Sequence, residues 1–227
     1  MELKDKIVQI LNEKSLVKYK VIDNTLDVFN VVKSVSQEIQ RELNQDLKEL
    51  DPRLHLEYKE NGRFECQLKV AGDLIIFNMH SNVFEFNRDH NIKKTSFAAA
   101  NPLNTYCGII SIYNFLNDSF KCQRNDDLGY LIGRVFINKD LFYMIEGKRQ
   151  LGFMQSTLGI NKINREVIKD IILNAIQYSL EFDLLVPPYD SVKIVSVAQM
   201  TEAIDNSRFQ TGKRIGFKFN SDDVATT

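Results

Sequence analysis

Residues 53–86 alternate apolar and polar side chains with a period of two, and this limits the fold more than any other feature of the chain. Leu54, Leu56 and Tyr58 are interleaved with His55, Glu57 and Lys59; Phe64, Cys66, Leu68 and Val70 are interleaved with Glu65, Gln67 and Lys69. Successive side chains of a strand point to opposite faces, so such a pattern hides its apolar set only when extended and half-buried. Asn61-Gly62 separates the two runs, and Asn-Gly signals a hairpin because a tight turn needs positive φ at both central residues. A second turn is expected at Ala71-Gly72-Asp73, ahead of Leu74-Ile75-Ile76-Phe77-Asn78-Met79. Ser81-Asn82 then sets off Val83-Phe84-Glu85-Phe86. The segment predicts an antiparallel meander of three or four strands.

Helical periodicity flanks this region. Val28, Val32, Val35, Ile39, Leu43, Leu47 and Leu50 recur at three- and four-residue steps, opposite Lys33, Gln37, Arg41, Gln45 and Lys48. That spacing makes one face of an α-helix. Asp23 or Asn24 is the expected N-cap, residues 3–13 form a shorter helix ahead, and Pro52 closes the pattern. At about seven turns the helix is expected to lie across the chain's own sheet. The competing use of its seam is to close a homodimer. Residues 163–185 repeat the period with Val167, Ile168, Ile171, Ile172, Ala175, Ile176, Leu180 and Leu184, with Asn164 as cap and Glu166 near the N-terminus. The wide apolar stripe implies a helix buried against a sheet. Pro187-Pro188 end it.

The stretch from Asn87 to Asn104 reads as a loop with a helical turn. Strands are expected over residues 107–116, 128–138 and 141–146, with Asn138-Lys139-Asp140 as a tight connection and a further short strand ending near Met154. A strand is also predicted at residues 192–197 and a last one around Ile215, Phe217 and Phe219. The sum is an α+β protein: a mainly antiparallel sheet covered by a long N-terminal helix and a helix in the C-terminal half. The expected organisation is one domain over residues 1–227. It comprises a helical part (1–50), a β region (53–155), a helix (163–186), final strands (190–219) and a frayed tail (220–227).

Composition fits a globular chain of 227 residues, 44% hydrophobic and 26% charged, which excludes wholesale disorder. Lys plus Arg (29) nearly balances Asp plus Glu (30), which argues against coating nucleic acid by charge. The first eight residues mix charged with apolar side chains, unlike a secretory leader. Three widely spaced cysteines, Cys66, Cys107 and Cys122, form neither a disulfide framework nor a paired-thiolate zinc motif. A cytoplasmic protein with no membrane association is expected.

No standard phosphate loop, zinc-protease, EF-hand or nucleophile-elbow motif is present. Gly147 and Gly152 have P-loop spacing, but Phe153-Met154 stand where Lys and a hydroxyl are required. Neither a cofactor nor a metal is expected. Glu85, Asp89 and His90 form a local acid/base cluster beside His80, and Cys107 is the remaining nucleophile type. A buried core role for Cys66 and Cys107 is the simpler reading. Less ordinary is an echo: Gly147-Lys148-Arg149 and Gly212-Lys213-Arg214 are both turns that run on into Gly-Phe. Cations beside exposed turn amides suit a phosphate or carboxylate, and Arg134 and Arg208 are candidates to join them.

These features predict a non-catalytic binding, sensor or adaptor protein. It would recognise an anionic small molecule or protein partner through Lys148, Arg149, Lys213, Arg214 and Arg134. A small hydrolase or nucleotide-processing enzyme built on Glu85, Asp89, His90 and Cys107 is the alternative. A structural subunit of a larger assembly is the third class.

Overall fold

The structure is a computed structural model that describes residues 2–121, 127–148, 157–183, 186 and 188–201. Helix α1 (Leu3–Ile10) passes through a π-helical turn (Leu11–Ser15) into the long helix α2 (Leu16–Asp46). The strands are β1 (Glu57–Glu60), β2 (Glu65–Val70), β3 (Asp73–Met79), β4 (Phe84–Glu85), β5 (Tyr106–Leu116), β6 (Tyr130–Asn138) and β7 (Tyr143–Gly147). Between β4 and β5 the chain makes a 3-10 turn (Asn91–Lys94), a short helix α3 (Ser96–Ala100) and another 3-10 turn (Pro102–Thr105). Helix α4 (Asn117–Lys121) follows β5. After β7 come α5 (Arg165–Glu181) and α6 (Tyr189–Val192).

All strand pairings are antiparallel. The order across the sheet is β1-β2-β3-β5-β6-β7, and β4 pairs with β5 beyond the end of β3. The expected α+β architecture is therefore the observed one.

One sheet face is packed under α2 and α5. Phe29, Val35 and Ile39 of α2 and Ile172 and Ala175 of α5 are fully buried against Leu68, Ile75, Phe77, Ile110, Ile112 and Ile137. The alternation read in the sequence is what supplies this face: Cys66, Leu68 and Val70 are buried while Glu65, Gln67 and Lys69 are half-exposed. Polar pairs tie the two helices at their rim, with Arg165 and Lys169 both reaching Glu38 and Lys169 also reaching Glu42. These cations hold the Glu38 carboxyl below its ordinary range.

The helix and sheet approach closely at Gly108 of β5. A Cβ built there would lie 2.8 Å from Thr25 Cβ and Cγ2 and closer still to Oγ1. The Thr25 hydroxyl donates to the Val21 carbonyl at 2.6 Å, so a β-branched side chain fits a buried helix surface without an unpaired donor. Glycine is what lets the backbones come together here.

The opposite face is covered in part. Ile92, Cys107, Phe136, Met144 and Leu158 make a second, smaller cluster beneath the residues that link β4 to β5. Asn138 organises the neighbouring turn: its Oδ1 accepts from the Asp140 and Phe142 amides and its Nδ2 donates to the Asn104 carbonyl. The turn expected at Asn138-Lys139-Asp140 is thus present. Asn164 caps α5 as expected, accepting from the Val167 amide at 2.9 Å.

Several expectations are corrected. Asp23 and Asn24 do not cap a helix; they lie inside α2, which begins at Leu16. Asn24 instead donates to the Asn138 and Lys139 carbonyls, so its polar group serves the sheet's turn. The first strand starts at Glu57. Residues Pro52–Leu54 form a 3-10 turn capped by Asp51, whose carboxyl is drawn down to about 2 by hydrogen bonds from Arg53. The Asn61-Gly62 hairpin has a four-residue loop with positive φ at Gly62 (+76°), and Ala71 takes the positive φ (+50°) in the next turn.

The strand predicted at residues 192–197 is not there. Helix α6 occupies Tyr189–Val192, and Ser196 and Gln199 exchange side-chain-to-amide hydrogen bonds around a following helical turn. Ile194 and Val197 are more than four-fifths exposed, so no sheet face rewards the extended form. The strands expected near Met154 and at Ile215, Phe217 and Phe219 fall outside the described residues, as does the tail from 220.

The Gly108 notch generates a direct test. Gly108→Ala is expected to cost about 1–3 kcal/mol through overpacking, read by chemical denaturation. Thr25→Ala in the same chain should recover part of that loss. Two costs that simply add would place the close approach elsewhere.

Candidate functional site

Strand alternation sends Cys107 and Ile109 of β5, Arg134 and Phe136 of β6, and Met144 and Glu146 of β7 to the face away from the helices, because they pair across the ladder as Ile109–Phe136, Ser111–Arg134, Arg134–Glu146 and Phe136–Met144. The residues after β4 cross above them. Phe86 packs against Phe136 with ring centroids 5.0 Å apart and planes tilted by 51°, and the His90 ring centroid lies 4.7 Å from that of Phe86. Two adjoining clefts result. One, about 270 Å³, has Phe84, Phe86, Ile109 and Phe136 as apolar walls with Glu85, His90, Cys107, Arg134 and Glu146 around them. The other, about 350 Å³, runs between the Asn91–Lys94 turn and the end of β7 to Gly147. His90 and Glu146 belong to both.

The polar groups here are held. His90 opens the 3-10 turn, and its Nδ1 accepts the Ile92 amide at 3.2 Å. A neutral ring that accepts at Nδ1 carries its proton on Nε2, so His90 offers the cleft a donor. Arg134 is paired with Glu146 across the β6–β7 ladder and stands 5.3 Å from the centre of the Phe136 ring. Glu85 accepts from Lys93 Nζ at 2.6 Å, and Lys93 also donates to Thr105 Oγ1 at 2.8 Å. The ammonium beside it, aided by Tyr106, holds the Glu85 carboxyl below its ordinary range. Cys107 is fully buried at the base, and burial pushes its thiol well above its ordinary value despite the opposing charge of Lys93.

Of the residues singled out in the sequence, the fold therefore brings Glu85, His90, Cys107 and Arg134 to one cleft. Asp89 is exposed and lines neither. His80 ends β3 at a turn, its Nδ1 accepting from the Asn82 amide and its ring edge-on to Phe84. Lys148 directly follows Gly147, which lines the larger cleft. Arg149, Lys213, Arg214, Arg208 and Cys122 lie outside the described residues, so the two Gly-Lys-Arg turns are not seen together. Cys66 sits on the helix-covered face, its thiol pushed up to about 12 by burial.

Glu146 and Lys93 were not anticipated. Glu146 becomes significant through its register opposite Arg134, and Lys93 through a turn that folds back on β4; spacing along the chain carries neither signal. Among the described residues, no group of three His, Cys, Asp or Glu side chains is arranged to hold a metal ion, and no helix is long and apolar enough to cross a membrane. No family model, curated protein or solved structure matches the chain.

The burial of Cys107 has a chemical consequence. The thiolate is the reactive form of cysteine, so native protein treated with iodoacetamide at pH 8 should leave Cys107 and Cys66 unmodified by peptide mapping. Both should label fully in denaturant. Native labelling of Cys107 on the timescale of a free thiol would contradict this description.

Proposed function

We propose that the protein is a non-catalytic binding module of the cytoplasm. Its ligand carries an acidic or phosphate group and enters the cleft between β5–β7 and the residues that follow β4. The observation that carries this reading is that Arg134 of β6 and His90, whose Nδ1 is taken by the Ile92 amide, line one cleft whose apolar walls include Phe86, Phe136 and Ile109. Donors beside apolar walls suit a ligand with an anionic end and a flat or apolar body. Arg134 presents a planar fork that matches carboxylate and phosphate oxygens. An incoming anion would replace Glu146 on that fork, which costs little because an exposed ion pair is worth about 0–1 kcal/mol. Lys148 is next along the chain from Gly147, which lines the adjoining cleft.

The enzymatic alternative rests on the convergence of Glu85, His90 and Cys107. Against it stand a thiol kept protonated by burial and a carboxylate held by Lys93 with its basicity reduced. A nucleophile needs a base or a positive field strong enough to ionise it, and here burial outweighs Lys93. Free, buried thiols at Cys66 and Cys107 fit a reducing compartment.

A thermal-shift series tests the reading with pyrophosphate, adenosine and guanosine nucleotides, and a phosphoserine peptide, each against chloride at matched ionic strength. A ligand at 100 times its dissociation constant stabilises by about 2.7 kcal/mol, or roughly 5–10 °C for a chain of this size. Arg134→Gln is expected to abolish that shift and Lys148→Gln to reduce it, with the unliganded melting temperature within about 2 °C of the parent. No shift with any anion, or a shift indifferent to Arg134→Gln, would overturn the assignment.

A further inference from the structure

Helix α1 has no buried residue. Leu3 is 74% exposed, Ile7 50%, Ile10 56% and Leu11 54%, and steps of four, three and four residues from Leu3, Ile7 and Ile7 respectively put them on one side of the helix. The body of the protein is first met further along, where Lys14 and Lys18 lie 5.4 and 5.7 Å from the centre of the Tyr106 ring. Burial begins in earnest at Val21. A free helix this short is marginal in water. This one is continuous with α2, which is clamped to the sheet, so its ordering cost is largely met before anything binds.

We propose that the apolar side of α1 is the contact surface for a second copy of this chain, the two α1 helices packing antiparallel. Charge supports that pairing. Lys6 of α1 and Glu13 of the π-helical turn are seven residues apart, about two turns along the helix, and Glu13 already accepts from Gln9 Nε2 at 3.1 Å. An antiparallel alignment that sets Ile7 against Ile10 of the other copy brings Lys6 beside Glu13 twice over. The same orientation leaves the two sheets at opposite ends of the helix pair, whereas a parallel pair would press them together. Burying the α1 stripe removes on the order of 500 Å² per chain, below the ~800 Å² per partner of a standard interface, so the dimer is weak and concentration-dependent. A lipid surface fits less well, because Glu2, Asp5 and Glu13 balance Lys4, Lys6 and Lys14 over residues 2–15 and leave no excess of positive charge to draw anionic headgroups.

Sedimentation equilibrium on the full chain between about 5 and 500 μM tests this. Reversible monomer–dimer exchange with a dissociation constant of roughly 10–500 μM is expected. Ile7→Asp and Leu11→Asp should each weaken it at least tenfold without changing the melting temperature, since both side chains are exposed. Lys6→Glu should weaken association, and Lys6→Glu with Glu13→Lys should restore it. A monomer throughout, a dimer indifferent to Ile7→Asp and Leu11→Asp, or no restoration by the double exchange would overturn the proposal. So would a monomer that binds phosphatidylserine vesicles through the same residues.

Discussion

The seating of α2 on β5 is the contact on which the rest of the molecule depends. Where Thr25 faces Gly108 the helix comes down on the sheet with only the Thr25 side chain between the two backbones. From there Val28, Val32, Val35 and Ile39 run along the inner face as one buried ridge. Apolar burial is worth roughly 25 cal/mol per Å², and a long helix laid across several strands collects that gain from pairings far apart in sequence. Helix α5 then fills the remaining width beside α2, and the Glu38, Arg165 and Lys169 pairs close the rim. The inner face is buried beneath the two helices, and the alternation of β2 and β5 is thereby given a direction.

The outer face follows from the inner one. Once Ile110, Ile112, Val135 and Ile137 are committed to the helices, Cys107, Ile109, Arg134 and Phe136 must point the other way. Among the described residues no third long helix covers them. The residues linking β4 to β5 do so incompletely, through Ile92, Phe86 and Phe97, and the uncovered remainder is the cleft. Its mixture of aromatic walls and tied ion pairs is thus a by-product of strand register, with Arg134 and Glu146 made neighbours by the β6–β7 pairing.

Much of the framework was legible in the chain because it is written in short periods. The two-residue alternation of 64–70, the helical period of 28–47 and 165–181, and the Asn164 cap all correspond to observed elements. Features decided by distant partners were not legible. Asn24 resembles a helix start locally, yet the carbonyls of Asn138 and Lys139 take its amide and the helix runs on through it. Residues 192–197 are β-branched enough to suggest a strand, but no sheet face receives them, and local Ser196–Gln199 bonding favours a helical turn. For the site, residue types pointed to Glu85, His90, Cys107 and Arg134. What they do depends on Lys93, Glu146 and the burial of the thiol, all products of register and packing.

Native-state hydrogen exchange on the full chain at low micromolar concentration tests this central claim most directly. Amides buried beneath the clamp should open only by near-global unfolding. Those of β3, β5 and the α2 segment from 21 to 39 are expected to form one slow class, with α1 exchanging orders of magnitude faster. Exchange in β3 and β5 as fast as in α1 would contradict a sheet held together by the helix that crosses it.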